Sequence, residues 1–79
     1  MNRRFNNKVL IVNINRIIWH KGLKKGTVAK DSGFSPQQFS DMLNGRKVIR
    51  AEYIPAIAHA LSASIDDLYA GMEIEKHDI

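Results

Sequence analysis

One segment, Lys25 to Asn44 (KGTVAKDSGFSPQQFSDMLN), constrains this 79-residue chain more than any other. It sets Val28, Ala29, Gly33, Phe39 and Met42 at the separations that two short helices need when a tight turn folds one across the other. Ala29 falls where the two axes pass closest, so a side chain larger than a methyl group would push them apart. Gly33, four residues later, can adopt the left-handed backbone that ends a helix without a Cβ penalty. Phe34 enters the turn, and Ser35 before Pro36 gives the N-cap-then-N1 order that starts a helix. Phe39, Met42 and Leu43 follow at i, i+3 and i+4 and make one inward stripe. The segment reads as a helix-turn-helix.

The flanking sequence supplies more helices and nothing that divides the chain. Asn7 to Lys21 is expected to be a first helix with Leu10, Ile14, Ile17 and Ile18 on one face. The β-branched run Val9 to Val12 leaves an extended arm open as an alternative for its start. Gly22 ends that helix, Lys24 to Ser32 forms the second, and Ser35 to Asn44 the third, with Gly45 as terminator. A basic loop, Arg46 to Arg50, leads to a fourth helix from about Glu52 to Leu61, in which Pro55 lies near enough to the first turn to be tolerated. Ser64 and Asp67 form a capping box for a fifth helix, Ile65 to Ala70, stopped by Gly71. Residues 1–79 are expected to form a single all-α, five-helix domain with its core over about 7–71 and a mobile tail from Met72 to Ile79.

Charge is informative by position. Residues 1–50 hold eleven Lys and Arg against Asp31 and Asp41, a balance of +9, whereas residues 51–79 hold one Lys and six acids, a balance of −5. The first half is therefore suited to a polyanion and the second is not. The longest apolar run, Val9 to Val12, is too short to cross a membrane and no cleavable leader is visible, so a cytoplasmic protein is the natural inference. There is no cysteine, and His20, His59 and His77 are scattered singly, so neither a metal site nor a cofactor is implied. Asp66 and Asp67, the only adjacent carboxylates, are explained by the first turn of a helix. No nucleophile has a partnered base, which argues against an enzyme. Trp19 lies within a helix without an aromatic partner nearby and is expected to be a packing residue, not a stacking platform.

Gly22-Leu23, Val28-Ala29, Gly33, Phe39, Asn44-Gly45-Arg46-Lys47, Ile57-Ala58 and Ala60-Leu61 together resemble the phage-repressor and Cro-like helix-turn-helix family, also called the xenobiotic-response-element family. The resemblance covers roughly Ile14 to Tyr69. It implies a lambda-repressor-like, five-helix domain that binds operator DNA, commonly as a two-fold dimer.

With Phe39 taken as inward, 100° per residue turns Gln37, Asp41 and Asn44 most directly outward, with Gln38 and Ser40 on the flanks. Gln37 and Gln38 are the expected base readers, because Gln can pair with both N6 and N7 of adenine. Ser40 joins them. Asp41 would read cytosine N4 or, alternatively, pair with a base such as Lys47. Pro36 replaces a residue that is often polar in the family, which removes one potential base contact. Lys25, Thr27, Ser35, Asn44, Arg46, Lys47 and Arg50 are expected at the phosphates, with Arg3 and Arg4 as an additional arm.

Three departures from the family pattern have physical consequences. Many members pair an arginine late in the first helix with a glutamate late in the third, and the matching residues here are Ile18 and Leu43. Exchanging both at once for apolar side chains removes two desolvation costs together. Lys24-Lys25-Gly26 opens the second helix without the usual capping hydroxyl, and Gly26 costs about 1 kcal/mol against Ala. Ser62 stands where glycine is common after the fourth helix.

The sequence is thus read as a double-stranded DNA-binding repressor-type regulator acting as a homodimer, with Ile65, Leu68, Tyr69 and Met72 as the expected dimer surface, although Ile65 and Leu68 could equally complete the monomer core. The competing reading is an antitoxin or another protein-interaction module whose DNA binding is secondary, with Phe5 and Val9 to Val12 as the partner surface. No small-molecule ligand is implied.

Overall fold

The computed structural model describes residues 7–71, which are helical with no strand among them. Helix α1 spans Asn7–Lys21, α2 Lys25–Ser32 and α3 Pro36–Leu43. A 3-10 turn, Ala51–Tyr53, leads into α4, Ile54–Leu61, and α5 is the short helix Ile65–Leu68. The expectations placed on Arg3, Arg4, Phe5, Met72 and the tail from Met72 to Ile79 lie outside the described residues.

The extended-arm alternative for the start of α1 does not hold. Leu10 and Ile14 are fully buried one turn apart and Ile18 follows at the next, so packing of one helical face overrides the β preference of the Val9 to Val12 run. The first turn is also tied down, because the Asn7 amide donates to the Ile49 carbonyl at 3.4 Å and accepts from the Ile49 N–H at 3.3 Å. Ile17 is only partly buried, whereas Asn13, a polar residue outside the expected set of Leu10, Ile14, Ile17 and Ile18, is buried.

Asn13 and Lys21 make α1 a brace for the C-terminal helices. The buried Asn13 amide donates to the carbonyls of Leu68 at 2.8 Å and Ala70 at 2.9 Å, while its oxygen accepts from the Arg16 guanidinium at 2.6 Å. The Lys21 ammonium donates to the carbonyls of Leu61 at 2.9 Å and Ser62 at 2.8 Å. Both contacts satisfy carbonyls that a helix end leaves without partners, and in the second a cation also meets the negative end of the α4 dipole.

The middle of the chain follows the sequence closely. Val28, Ala29, Phe39, Met42 and Leu43 are buried in a single hydrophobic core with Ile49, Ile54, Ile57, Ala58, Leu61 and Leu68. Gly33 has φ +90° and donates from its N–H to the Lys30 carbonyl, closing α2 in the left-handed conformation. Phe34 braces the turn from both sides, stacking on Phe39 at 6.4 Å and meeting the edge or face of Tyr53 at 5.0 Å and 74°. Ile18 and Leu43 are both buried in the core, as the paired loss of two charges requires.

Beyond one-residue differences at the caps of α2 and α3, two boundaries differ from expectation by two residues. The fourth helix begins at Ile54 instead of Glu52, with Pro55 in its first turn. Proline has no N–H and its ring clashes with the carbonyl four residues back, so the α register cannot run further upstream and Ala51–Tyr53 tightens to 3-10 geometry. The fifth helix ends at Leu68, two residues early, where Asn13 captures the Leu68 and Ala70 carbonyls.

Candidate nucleic-acid interface

The second helix of the turn motif is set by a reciprocal cap. The Ser35 hydroxyl accepts from the Gln38 N–H at 3.1 Å, and the Gln38 side-chain oxygen accepts from the Ser35 N–H at 2.9 Å. This is a capping box, and Pro36 occupies the first turn where a missing N–H costs nothing. Ser35 is thus an N-cap first, and any phosphate contact must come from its remaining hydroxyl proton.

The same bond constrains the side chain of Gln38. The Ser35 N–H takes one of the two lone pairs of the Gln38 oxygen and ties the side chain back over the cap, so pairing with both N6 and N7 of adenine while the cap is held would have to use the second lone pair and the NH₂ group in that fixed geometry. Ser-x-x-Gln ahead of an apolar stripe is a capping signature legible in the sequence.

Gln37 is placed differently. Its NH₂ group donates to the Asp41 carboxylate at 3.0 Å, one turn along the exposed face. This leaves one NH₂ hydrogen and the amide oxygen without partners among the described residues, which is the donor and acceptor pair that adenine requires.

Asp41 is the centre of the outward face. One carboxylate oxygen takes both the Gln37 amide and the Arg46 guanidinium, the latter at 3.5 Å. Its backbone carbonyl accepts from the N–H groups of Arg46 at 2.8 Å and Lys47 at 3.1 Å. The pairing expected with Lys47 is made instead with Arg46, because the turn through Asn44 and Gly45 folds Arg46 back over the end of α3. Asn44 donates from its side chain to the Ser40 hydroxyl at 3.4 Å, so these two residues are also coupled one turn apart.

Around this face the expected phosphate residues are exposed. Lys25 and Thr27 stand in the first turn of α2, whose N-cap residue, Lys24, makes no side-chain cap bond. The amides there, together with the dipole and two lysines, favour an anion. Arg46, Lys47 and Arg50 follow α3, all exposed. Arg50 pairs with Glu52 at 3.5 Å, but both are open to solvent, so that ion pair is easily exchanged for a phosphate. Exposed Val48 lies in the same loop and was not singled out from the sequence; its flanking by Lys47 and buried Ile49 gives no signal of exposure.

The expected dimer residues that are described differ in exposure. Leu68 is fully buried within the chain, where it packs against α1, and it is therefore withdrawn from that surface. Ile65 is exposed and Tyr69 half-buried. Trp19, expected to pack, is 80% exposed, because its position turns away from the Leu10, Ile14 and Ile18 face. Among the described residues no three His, Cys, Asp or Glu side chains are grouped to hold a metal ion, and no helix is long and apolar enough to cross a membrane.

A helix pair joined by a tight turn, with the second helix presenting amides and a carboxylate and basic residues at both ends, defines a helix-turn-helix DNA-binding protein. The family model for the Cro/C1-type helix-turn-helix DNA-binding domain matches residues 13–70, and the chain belongs to that family. Among solved structures, the clp gene regulator ClgR from C. glutamicum is similar, with 29% sequence identity and a TM-score of 0.73 over 78% of this chain and 80% of that one. No curated protein matches the chain by sequence.

Proposed function

We propose that the chain is a repressor-type transcription regulator that occupies an inverted-repeat operator as a homodimer in the cytoplasm. The observation that carries this reading is the exposed face of α3, where Gln37 retains a free donor and acceptor beside the Asp41–Arg46 pair. Gln37 is the leading base reader, with Ser40 and the NH₂ group of Gln38 at its flanks and Asp41 orienting both Gln37 and Arg46. Lys25 and Thr27 on one side, and Ser35, Asn44, Arg46, Lys47 and Arg50 on the other, supply the phosphate contacts. Ile65 and Tyr69 remain as the dimer surface. In a two-fold dimer the half-site centres lie about one DNA turn apart.

The competing partner-binding reading is weakened by burial. Leu10 is inside the core and Val9 and Ile11 are partly covered, which leaves only Val12 of that run exposed, at 54%.

Selection from a pool of random duplexes at moderate salt tests the proposal. Enrichment of an inverted repeat is the expected result. Retention without enrichment, lost as salt rises, would remove sequence-specific regulation and leave only backbone binding.

A further inference from the structure

Trp19 is the largest side chain that the described fold leaves in solvent, although its neighbour Ile18 is buried. It forms one wall of a shallow depression between the end of α1 and the start of α2, lined by Asn15, Ile18, Trp19, Gly22, Leu23 and Lys25. The lining combines the apolar Ile18, Trp19 and Leu23 with the Asn15 amide and the Lys25 ammonium group, and includes no carboxylate. Lys25 belongs at once to this depression and to the uncapped first turn of α2, so the depression continues the DNA-facing surface outward past that helix.

We propose that this depression seats a sugar–phosphate unit of the DNA backbone, with Trp19 as its apolar wall and Lys25 as its anion partner. The inference rests on the DNA-binding reading above and extends the footprint beyond the helix-turn-helix. A nucleotide unit of duplex DNA presents an apolar deoxyribose face beside an anionic phosphate, which matches an indole and an ammonium group lining one depression. The ring packs on the sugar, and the indole N–H donates to a phosphate oxygen, as buried or covered tryptophans usually require. Base stacking does not suit the site, since duplex bases are already stacked and the one aromatic neighbour, His20, meets Trp19 at 85°. A second copy of the chain fits poorly, because a two-fold contact here brings Lys24 and Lys25 close to their own equivalents.

Trp19 is the only tryptophan, so its fluorescence reports on this site alone. The full chain is titrated with a fluorescein-labelled duplex of mixed sequence at low salt. Anisotropy of the label follows binding, and acrylamide quenching follows Trp19. DNA is expected to protect Trp19 from the quencher and shift its emission to the blue. Trp19→Ala, checked for folding by circular dichroism, is expected to weaken binding about five- to tenfold with the salt slope unchanged, because the indole neutralises no phosphate. Trp19→Phe, which keeps a ring and loses the N–H, falls between the two. Lys25→Ala instead lowers the slope by about one. Binding with undiminished quenching and no loss in Trp19→Ala overturns this inference and leaves the regulator reading standing. No binding of the duplex at low salt overturns both. Protection that appears with protein concentration in the absence of DNA assigns the surface to self-association and overturns the inference.

Discussion

The Asn13 side chain, buried in the middle of α1, donates a 2.8 Å hydrogen bond to the carbonyl of Leu68, 55 residues away in sequence, and a second bond to Ala70. An apolar residue at this place would suit the helical periodicity and leave both carbonyls without their donor. Asn13→Leu is expected to lower stability by about 1–3 kcal/mol despite the added hydrophobicity. Chemical denaturation checks this, and a midpoint equal to or above that of the parent would show that the α5 end needs no such partner.

Leu43 and Ile18, which match the positions where the resemblance implies a glutamate and an arginine in many members, are both buried. Leu43→Glu puts an uncompensated carboxylate into the core and is expected to cost about 3 kcal/mol or more. An unchanged melting curve would contradict this packing. Adding Ile18→Arg should recover part of the loss, which a double-mutant cycle measures as coupling between the two positions.

Ser62 caps α4 with φ +56° and ψ +42°, the one non-glycine residue with positive φ among the described residues. The left-handed conformation costs an ordinary side chain about 1–2 kcal/mol, against which glycine loses more chain entropy on folding. Ser62→Gly is expected to gain about 0.5–1 kcal/mol, read as a rise in Tm of a few degrees. A fall in Tm would mean that the Ser62 side chain contributes more than its backbone strain removes.

A Cβ built at Gly26 meets nothing within 4 Å, and its φ is not positive. Gly26→Ala should therefore stabilise α2 by about 1 kcal/mol. The same methyl group stands among the first-turn amides where a phosphate is proposed to approach, so DNA affinity should fall while Tm rises. Measuring both in one variant separates the two effects; a variant gaining both would place the phosphate elsewhere.

Asp41 is a carboxylate on the face proposed to meet a polyanion. Asp41→Asn removes that charge and releases Arg46 from its ion pair. Mixed-sequence DNA should bind more tightly, by several-fold at low salt, while preference among operator variants weakens because the neutral amide oxygen holds Gln37 less firmly than the carboxylate did. Competition binding against a selected duplex and a scrambled one reads both changes. Tighter binding with preference intact would reduce Asp41 to a bystander.

The residues that were legible in the sequence are those whose geometry is local. The stop at Gly33, the Ser35-Pro36 start, the Phe39, Met42 and Leu43 stripe, and the Ser64–Asp67 box each depend on neighbours within a turn or so, and each is present. What escaped depends on chain far away or on competition for one atom. Asn13 and Lys21 bond across 55 and 40 residues, and nothing near them in sequence announces a helix end in need of a donor. Gln38 faces outward as helical geometry requires, but its oxygen serves the cap. Trp19 shows the limit of reasoning from residue type, since a large aromatic normally goes inside and this one lies on the outward side of α1.

Because Gln37, Arg46 and the turn after α3 all converge on Asp41, the proposed base and backbone contacts would not be made by separate parts. A base that draws the Gln37 amide away would change how firmly Arg46 is held, and a phosphate that takes Arg46 would change how Gln37 is aimed. Under the proposed function, operator preference would not factor into one independent letter per position. A substitution in the DNA at one place should change the penalty for a substitution at another, so that the protein ranks whole half-sites, not single base pairs.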